Sequence, residues 1–209
     1  LISAVGMLLA VTSTLLHHNI VDFQWILIGL ALGVFVGILA ARFVAMTAMP
    51  EMVALFNGSG GIASLLVSWA EFQSQQVIPT SLFVPILLAT LIGGVTFTGS
   101  VMAFFKLLDL TSLGWHFGKA RVFFGQHFLN GLVLTVGFGL SVWIVLQPRP
   151  NPTLYMVVIG ISFILGVLLV IPIGGADMPV ILALLNSFSG LAACAAGFAI
   201  QNNILMVAG

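Results

Sequence analysis

The sequence predicts an all-α fold, a polytopic transmembrane helical bundle with seven helices and the start of an eighth. Two observations lead to this prediction. The 209 residues are 61% hydrophobic and only 5% charged, whereas about 25% of the residues of a soluble domain are charged. The apolar residues also form continuous runs of about 20, the length of a helix that crosses a bilayer, and they lack the alternation of a membrane β-barrel.

Short polar breaks divide the chain into the predicted helices. The first helix, residues 1–16, lacks its beginning, because the sequence opens inside an apolar run. Complete spans follow at residues 25–44, 50–69, 82–105, 128–146, 153–173 and 179–200, and residues 204–209 begin an eighth helix. Pro50 and Pro179 suit a first helical turn, where a missing N–H does no harm. Since both ends interrupt apolar runs, we expect this sequence to be a fragment of a longer protein.

The basic residues predict how the helices are oriented. Four of the five fall in the loops after the second and fourth predicted helices: Arg42, Lys106, Lys119 and Arg121. The opposite loops hold only Arg149. Because short cytoplasmic loops carry an excess of Lys and Arg, the first set is predicted on the cytoplasmic or matrix side. The longest of these loops, residues 107–126, is either a solvated connector or a docking surface for a soluble domain.

Two distant segments look like copies of one membrane helix. Residues 49–57 are Met-Pro-Glu-Met-Val-Ala-Leu-Phe-Asn and residues 178–186 are Met-Pro-Val-Ile-Leu-Ala-Leu-Leu-Asn, and a Gly and an Ala follow at the same spacing. Asn57 and Asn186 therefore lie about 12 Å into their helices, near the middle of the bilayer, where a buried amide is costly without partners. The pair predicts a polar centre shared by two parallel helices. The alternative is that the amides only lock the helices together.

No carboxylate is predicted at mid-membrane. Asp177 directly precedes the second Met-Pro pair, at a helix N-terminus, where the helix dipole favours an anion. It is either an N-cap, or a proton-entry group or contact to a soluble partner, and Glu51, next to Pro50, allows the same interpretations. Proton transport normally needs a titratable group within the membrane, and amides do not titrate. A central proton carrier would therefore have to come from another subunit or from outside this sequence.

Several kinds of function are excluded by composition. Lys and Arg together number five, as do Asp and Glu, so no basic patch for nucleic acid is present. The four histidines fall in predicted loops or at helix ends, so we predict no metal or haem site and no catalytic residue. The single cysteine, Cys194, is interpreted as a small packing residue.

Three longer motifs resemble the membrane domain of the beta subunit of proton-translocating nicotinamide nucleotide transhydrogenases. They are Ala-Met-Thr-Ala-Met-Pro-Glu-Met-Val-Ala at residues 45–54, Gly-Gly-Val-Thr-Phe-Thr-Gly-Ser at residues 93–100 with Lys106-Leu107 after it, and residues 174–190, which run from Gly-Gly-Ala-Asp-Met-Pro to Asn-Ser-Phe-Ser-Gly. The resemblance spans nearly the whole chain. It implies a proton-channel domain, residues 1–209, coupled to direct hydride transfer from NADH to NADP⁺ in soluble domains, without metal or flavin.

The resemblance also implies which residues serve the proton pathway. The predicted set comprises polar residues that follow or precede the two Met-Pro pairs: Asn57, Asn186, Asp177, Glu51, Ser187 and Ser189. Asn186 matches a channel asparagine of the family, and Asp177 matches an aspartate at the cytoplasmic mouth. Asn57 stands where many members have a channel histidine. Other members have asparagine there and a channel histidine on an alpha-subunit helix, which is the arrangement we expect here.

The partners and location follow from the same resemblance. It implies contacts with alpha-subunit transmembrane helices, with soluble NAD- and NADP-binding domains and with the lipid bilayer, and a homodimer of the complete unit in the bacterial or mitochondrial inner membrane. This chain alone should bind neither NAD(H) nor NADP(H) and catalyse no hydride transfer. One alternative is a secondary transporter that binds a small solute between the predicted helices 50–69 and 179–200. A purely structural membrane anchor is another.

Overall fold

The computed structural model of the chain describes residues 23–74, 78–108, 118–147 and 151–209, together with residues 5, 6, 8 and 12. Across these residues the regular structure is helical and contains no strand. The α-helices, in chain order, are α1 (Gln24–Phe43), α2 (Met49–Ser74), α3 (Thr80–Leu107), α4 (Gln126–Val145), α5 (Pro152–Val170), α6 (Met178–Ala199) and α7 (Asn203–Ala208). Helices α1 to α6 are long and apolar enough to cross a membrane.

The predicted all-α membrane fold is therefore confirmed, and its count of seven helices plus the start of an eighth is not. The first predicted helix, residues 1–16, lies outside the described residues apart from four helical positions. The later predicted spans correspond to α1 to α6, and α7 stands where the eighth helix was expected to begin.

Two helix ends differ from the prediction for physical reasons. Helix α2 continues to Ser74 because an apolar pattern marks only the part of a helix inside the hydrocarbon layer. In its last turn the Ser74 hydroxyl donates to the carbonyl of Glu71 at 2.9 Å. Helix α5 ends at Val170, before its predicted end at residue 173, because Pro172 has no N–H to continue the helix.

The chain divides into two compact units, residues 1–46 and residues 47–209. The first contains α1. The second contains α2 to α7, and α3 lies at its centre, in contact with α2, α5 and α6.

Close contacts fix the directions of the helices around α3. Helix α2 runs antiparallel to α3, since Gly58 lies opposite Ser100 and Gly61 lies opposite Gly93 and Thr96. Helix α5 runs parallel to α3: the Thr98 hydroxyl donates to the Phe163 carbonyl, and the Lys106 ammonium donates to carbonyls after the end of α5. Helix α6 returns antiparallel to α5, so α2 and α6 point in the same direction. The predicted parallel orientation of the two Met-Pro helices is confirmed.

Two apolar clusters close the ends of the second unit. At the end where α2 and α6 begin, the cluster consists of small and aliphatic side chains: Ala54, Ala103, Val170, Met178, Leu182 and Leu185. At the other end the ring of Phe72 stacks on those of Tyr155 and Phe83, with centroids 4.0 and 5.9 Å away. Between the clusters the α2–α3 interface consists mainly of Gly, Ser and Thr. The buried amide and hydroxyl groups of the candidate site lie in this middle layer.

The last two helices form a tight hairpin. Gln201 adopts a left-handed conformation with φ 54°, which ends α6 in the manner of a helix C-cap. The Asn202 side chain then accepts a hydrogen bond from the Leu205 N–H at 3.0 Å and caps α7. Gly197 allows the close approach, because a Cβ there would lie 2.7 Å from the Met206 nitrogen.

Candidate functional site

The centre of the site is a hydrogen bond between α2 and α3. Glycines bring the two backbones together: a Cβ at Gly61 would lie 2.8 Å from the Gly93 carbonyl oxygen and 2.9 Å from the Thr96 Cβ. One turn earlier, Asn57 is 7% exposed, and its Nδ2 donates to the Ser100 hydroxyl at 2.9 Å. The Oδ1 atom of the same amide is buried and has no hydrogen-bond partner among the described residues. Asn57 therefore presents an unused acceptor inside the bundle.

Other hydroxyls of this layer are occupied locally. The hydroxyls of Ser64, Ser68 and Thr96 donate to carbonyls of their own helices, at 3.1, 2.9 and 2.7 Å. Such bonds back to the preceding turn satisfy a hydroxyl without a neighbouring helix. Ser100 differs because it accepts from another helix. The predicted site did not include it, although small residues on both helices, Gly58 and Gly61 against Gly93, set the register that brings it to Asn57.

Asn186 has a different environment from Asn57. It is exposed on the surface of this chain, as is Ser187, whose hydroxyl donates back to the Ala183 carbonyl at 3.3 Å. The side chain of α6 that meets α3 at this depth is Leu185, whose Cδ2 would lie 3.0 Å from a Cβ at Gly99. The prediction that the two amides meet in one buried polar centre is therefore wrong for this chain.

The two asparagines nevertheless lie at the same depth. A Cβ at Gly60 would lie 2.9 Å from the hydroxyl of Ser189, so these residues of the parallel helices α2 and α6 are level. Asn57 and Asn186 each stand three positions before this contact. Half-buried Ser189 thus touches the α2 helix that carries Asn57, while Asn186 lies on the outer side of α6.

The two acidic candidates lie at the end where α2 and α6 begin. Asp177 occupies the N-cap position of α6, but it is exposed and its side chain makes no capping hydrogen bond. Asp177 therefore stands at the N-cap position without capping the helix through its side chain, and the carboxylate is accessible from this end. Glu51 lies in the first turn of α2 and is half-buried. Its Oε2 atom is buried without a hydrogen-bond partner in the described part of the chain.

The structure adds a buried cation that the sequence analysis placed in a loop. Lys106 belongs to the last turn of α3 and is 3% exposed. Its Nζ donates to the carbonyls of Ile171 and Ile173, at 2.6 and 2.5 Å. The sequence could have indicated that Lys106 belongs to the helix. It follows Ser100 by six residues, which is less than two further turns of α3. The prediction of a loop was wrong because it assumed that the membrane-spanning helix ends before the charged Lys106.

A short stretch of the predicted 107–126 loop pairs with the connection between α5 and α6. The Arg121 N–H donates to the Ile171 carbonyl at 3.2 Å, and the Gly175 N–H donates to the Gly118 carbonyl at 2.9 Å. Residues 109–117 of the loop lie outside the described residues. The choice between a solvated connector and a docking surface stays a prediction.

These features suit a polar route more than a reaction centre. Amide and hydroxyl groups at mid-depth can donate and accept hydrogen bonds, and an exposed carboxylate, Asp177, and a half-buried one, Glu51, lie at one end of the bundle. A model of the NAD(P) transhydrogenase beta subunit family matches the chain over residues 1–209. The chain belongs to this family.

Known transhydrogenase beta subunits support the assignment. Two sequences named NAD(P) transhydrogenase subunit beta, from Rhodospirillum rubrum and from a named strain of that species, are each 37% identical to this chain over 213 residues. The aligned region covers 98% of this chain and 44% of each relative. The chain thus spans less than half the length of the curated beta subunits it matches. The resemblance given by the Met-Pro and Gly-Gly motifs is confirmed, and the secondary-transporter alternative is not supported.

Proposed function

We propose that this chain is the membrane domain of a proton-translocating NAD(P) transhydrogenase. It conducts protons, and that passage is coupled to hydride transfer from NADH to NADP⁺ in soluble domains outside residues 1–209. The observation that carries the proposal is the family match over the whole chain. The complete enzyme holds NAD(H) and NADP(H), and it resides in a bacterial or mitochondrial inner membrane as a homodimer of the complete unit.

The Asn57–Ser100 pair is the proposed centre of the route. An amide donates and accepts at the same time, and a hydroxyl that accepts from Asn57 keeps its own proton to donate. The buried Oδ1 atom of Asn57 can accept from a water or from an ionisable side chain. A polar atom buried without a partner is costly, so an additional donor at this point stabilises the assembled enzyme.

The proton carrier itself comes from a partner in this proposal. Among the described residues of the middle layer, the polar side chains are amides and hydroxyls, which do not titrate near neutral pH. The resemblance to the family implies that a histidine on an alpha-subunit helix is this carrier. The exposure of Asn186 supports a partner helix at this position. A carboxamide that faces hydrocarbon is costly, and a polar side chain on a partner helix would remove that cost.

The acidic residues serve the cytoplasmic mouth of the route. Asp177 is exposed and its side chain makes no capping hydrogen bond, so its carboxylate can exchange protons with solvent or contact the NADP-binding domain. Glu51 is the second candidate, with one buried carboxylate oxygen free to accept. Protonation in the channel would favour one set of contacts at the mouth over another. That difference would shift the NADP-binding domain between nucleotide-binding and nucleotide-releasing states.

Substitution of the asparagines in the complete enzyme tests the proposal. We expect Asn57→Leu and Asn186→Leu each to lower proton-coupled transhydrogenation by about tenfold or more, with folding and NADP binding largely unchanged. The matched control is Ser141→Ala, which removes a buried polar group of another spanning helix, α4, where the hydroxyl donates back to the Gly137 carbonyl of the same helix, and it should leave the coupled rate intact. Normal coupled rates in both variants would remove these amides from the pathway.

A further inference from the structure

We propose that Lys106 is a positioning residue for the mouth of the pathway. Its ammonium group holds the connection between α5 and α6, residues 171–177, in the conformation that presents Asp177. The inference rests on the proposed function, because Lys106 acts on proton passage only through that mouth.

The first support is the geometry of the ammonium group. The last carbonyls of a helix lack N–H partners within the helix, and Pro172 prevents the chain from supplying them by continuing α5. Lys106, from the neighbouring helix α3, donates to the carbonyls on both sides of this proline, Ile171 and Ile173. A cation at this end also suits the dipole of α5. Lys106 therefore caps α5 from outside.

The second support is that the same connection is held from its other side. Residues 118–121 bond to it at Ile171 and at Gly175, and a Cβ at Gly175 would lie 3.3 Å from the Lys106 carbonyl oxygen. Gly175 begins the 3-10 helix Gly175–Asp177. Only three residues, 174–176, separate Ile173, the nearer of the two bonded carbonyls, from Asp177, so the short backbone transmits the position of that carbonyl directly to the carboxylate.

The third support is the cost of a cation at this point. A side chain that is 3% exposed loses most of its hydration, and a buried charge is less favourable than an apolar group of the same volume unless hydrogen bonds compensate it. The nearby packing of Ala103, Val170 and Met178 is apolar and does not itself require a cation. What Lys106 adds is a defined conformation of the connection.

Hydrogen exchange and rate measurements on the complete enzyme test this role. In Lys106→Met we expect the amides of residues 171–177 to exchange about tenfold faster, as for a segment that opens locally. The proton-coupled rate should fall about tenfold, with unchanged amounts of assembled enzyme and unchanged NADP binding. Lys106→Arg keeps the charge and the donors in a different geometry and should lie between Lys106→Met and the unaltered enzyme. Unchanged exchange at residues 171–177 in Lys106→Met overturns the inference.

The control and a double variant separate the alternatives. Arg42→Met removes another cation of the same predicted side and should change neither measurement. If Lys106 acts through Asp177, Lys106→Met combined with Asp177→Asn should be no slower than Asp177→Asn alone, whereas multiplied losses overturn that route. If Lys106→Met does not assemble, exchange in Lys106→Arg decides, and unchanged exchange with a reduced rate overturns the inference.

The failure of the proposed function has a different signature. A normal coupled rate in Asp177→Asn overturns the assignment of the mouth, and the positioning role with it. A reduced rate in Asp177→Asn, together with unchanged exchange in Lys106→Met, overturns only the role of Lys106.

Discussion

At the scale of single residues, the informative feature is an amide with one end paired. Asn57 donates to Ser100, whereas its carbonyl oxygen is buried without a partner among the described residues. Native structures satisfy nearly all such atoms. The unpaired atom lies on α2, the helix that also contacts α6 where Gly60 meets Ser189, and we expect a water or a partner side chain to complete the interface there.

Ser100→Ala tests the pairing at this scale. The substitution leaves both ends of the Asn57 amide unpaired, so we expect the free energy of unfolding to fall by about 1–2 kcal/mol. Denaturant titration of the purified protein in detergent measures the change. Ser64→Ala is the matched control, since that hydroxyl bonds only within α2 and its loss should cost less. Equal losses would show that the Asn57 bond adds nothing beyond helix packing.

At the scale of elements, the sequence predicts where the helices begin and not which side chains face inward. Proline in the first turn fixes the start of α2 and α6 to within one residue, because its missing N–H is harmless only there. Rotation about the helix axis depends on neighbours instead. Glycines 58 and 61 turn Asn57 towards α3, whereas Leu185 takes the corresponding place on α6 and leaves Asn186 outside. The second copy has Ser187 at the position of Gly58, but the effect of that difference on Asn186 depends on the neighbouring helix.

Gly61→Ala tests the α2–α3 contact. A methyl group there would lie within 3.0 Å of the Gly93 carbonyl oxygen and the Phe97 nitrogen, and backbone atoms cannot move aside as a flexible side chain can. We expect a loss of about 1–3 kcal/mol in the free energy of unfolding. Gly139→Ala, at a helical glycine with no atom within 4 Å of the added Cβ, should be neutral or slightly stabilising. A neutral Gly61→Ala would contradict the close approach.

At the scale of the whole molecule, orientation in the membrane depends on few charges. The predicted cytoplasmic side carries four of the five basic residues. One of them, Lys106, also donates to the carbonyls that follow the end of α5. In a Cys194→Ser background, we expect Ala120→Cys to react with a membrane-impermeant maleimide from the cytoplasmic side and Gln147→Cys from the opposite side. Labelling of intact and inverted vesicles measures this, and the reverse pattern would contradict the orientation.

On the outer face of α6, the carboxamide of Asn186 is not covered by the rest of the described chain. If an alpha-subunit helix covers it, Asn186→Cys in the Cys194→Ser background should form crosslinks to that subunit in the assembled enzyme. Leu184→Cys is the matched control: it is also exposed, but two positions correspond to about 200° around the helix, so it should crosslink far less. Mass spectrometry of the crosslinked peptides identifies the partner. Equal yields at both positions, or crosslinks only between copies of this chain, would place Asn186 outside the channel. Of the two asparagines proposed for the route, only Asn57 would then remain.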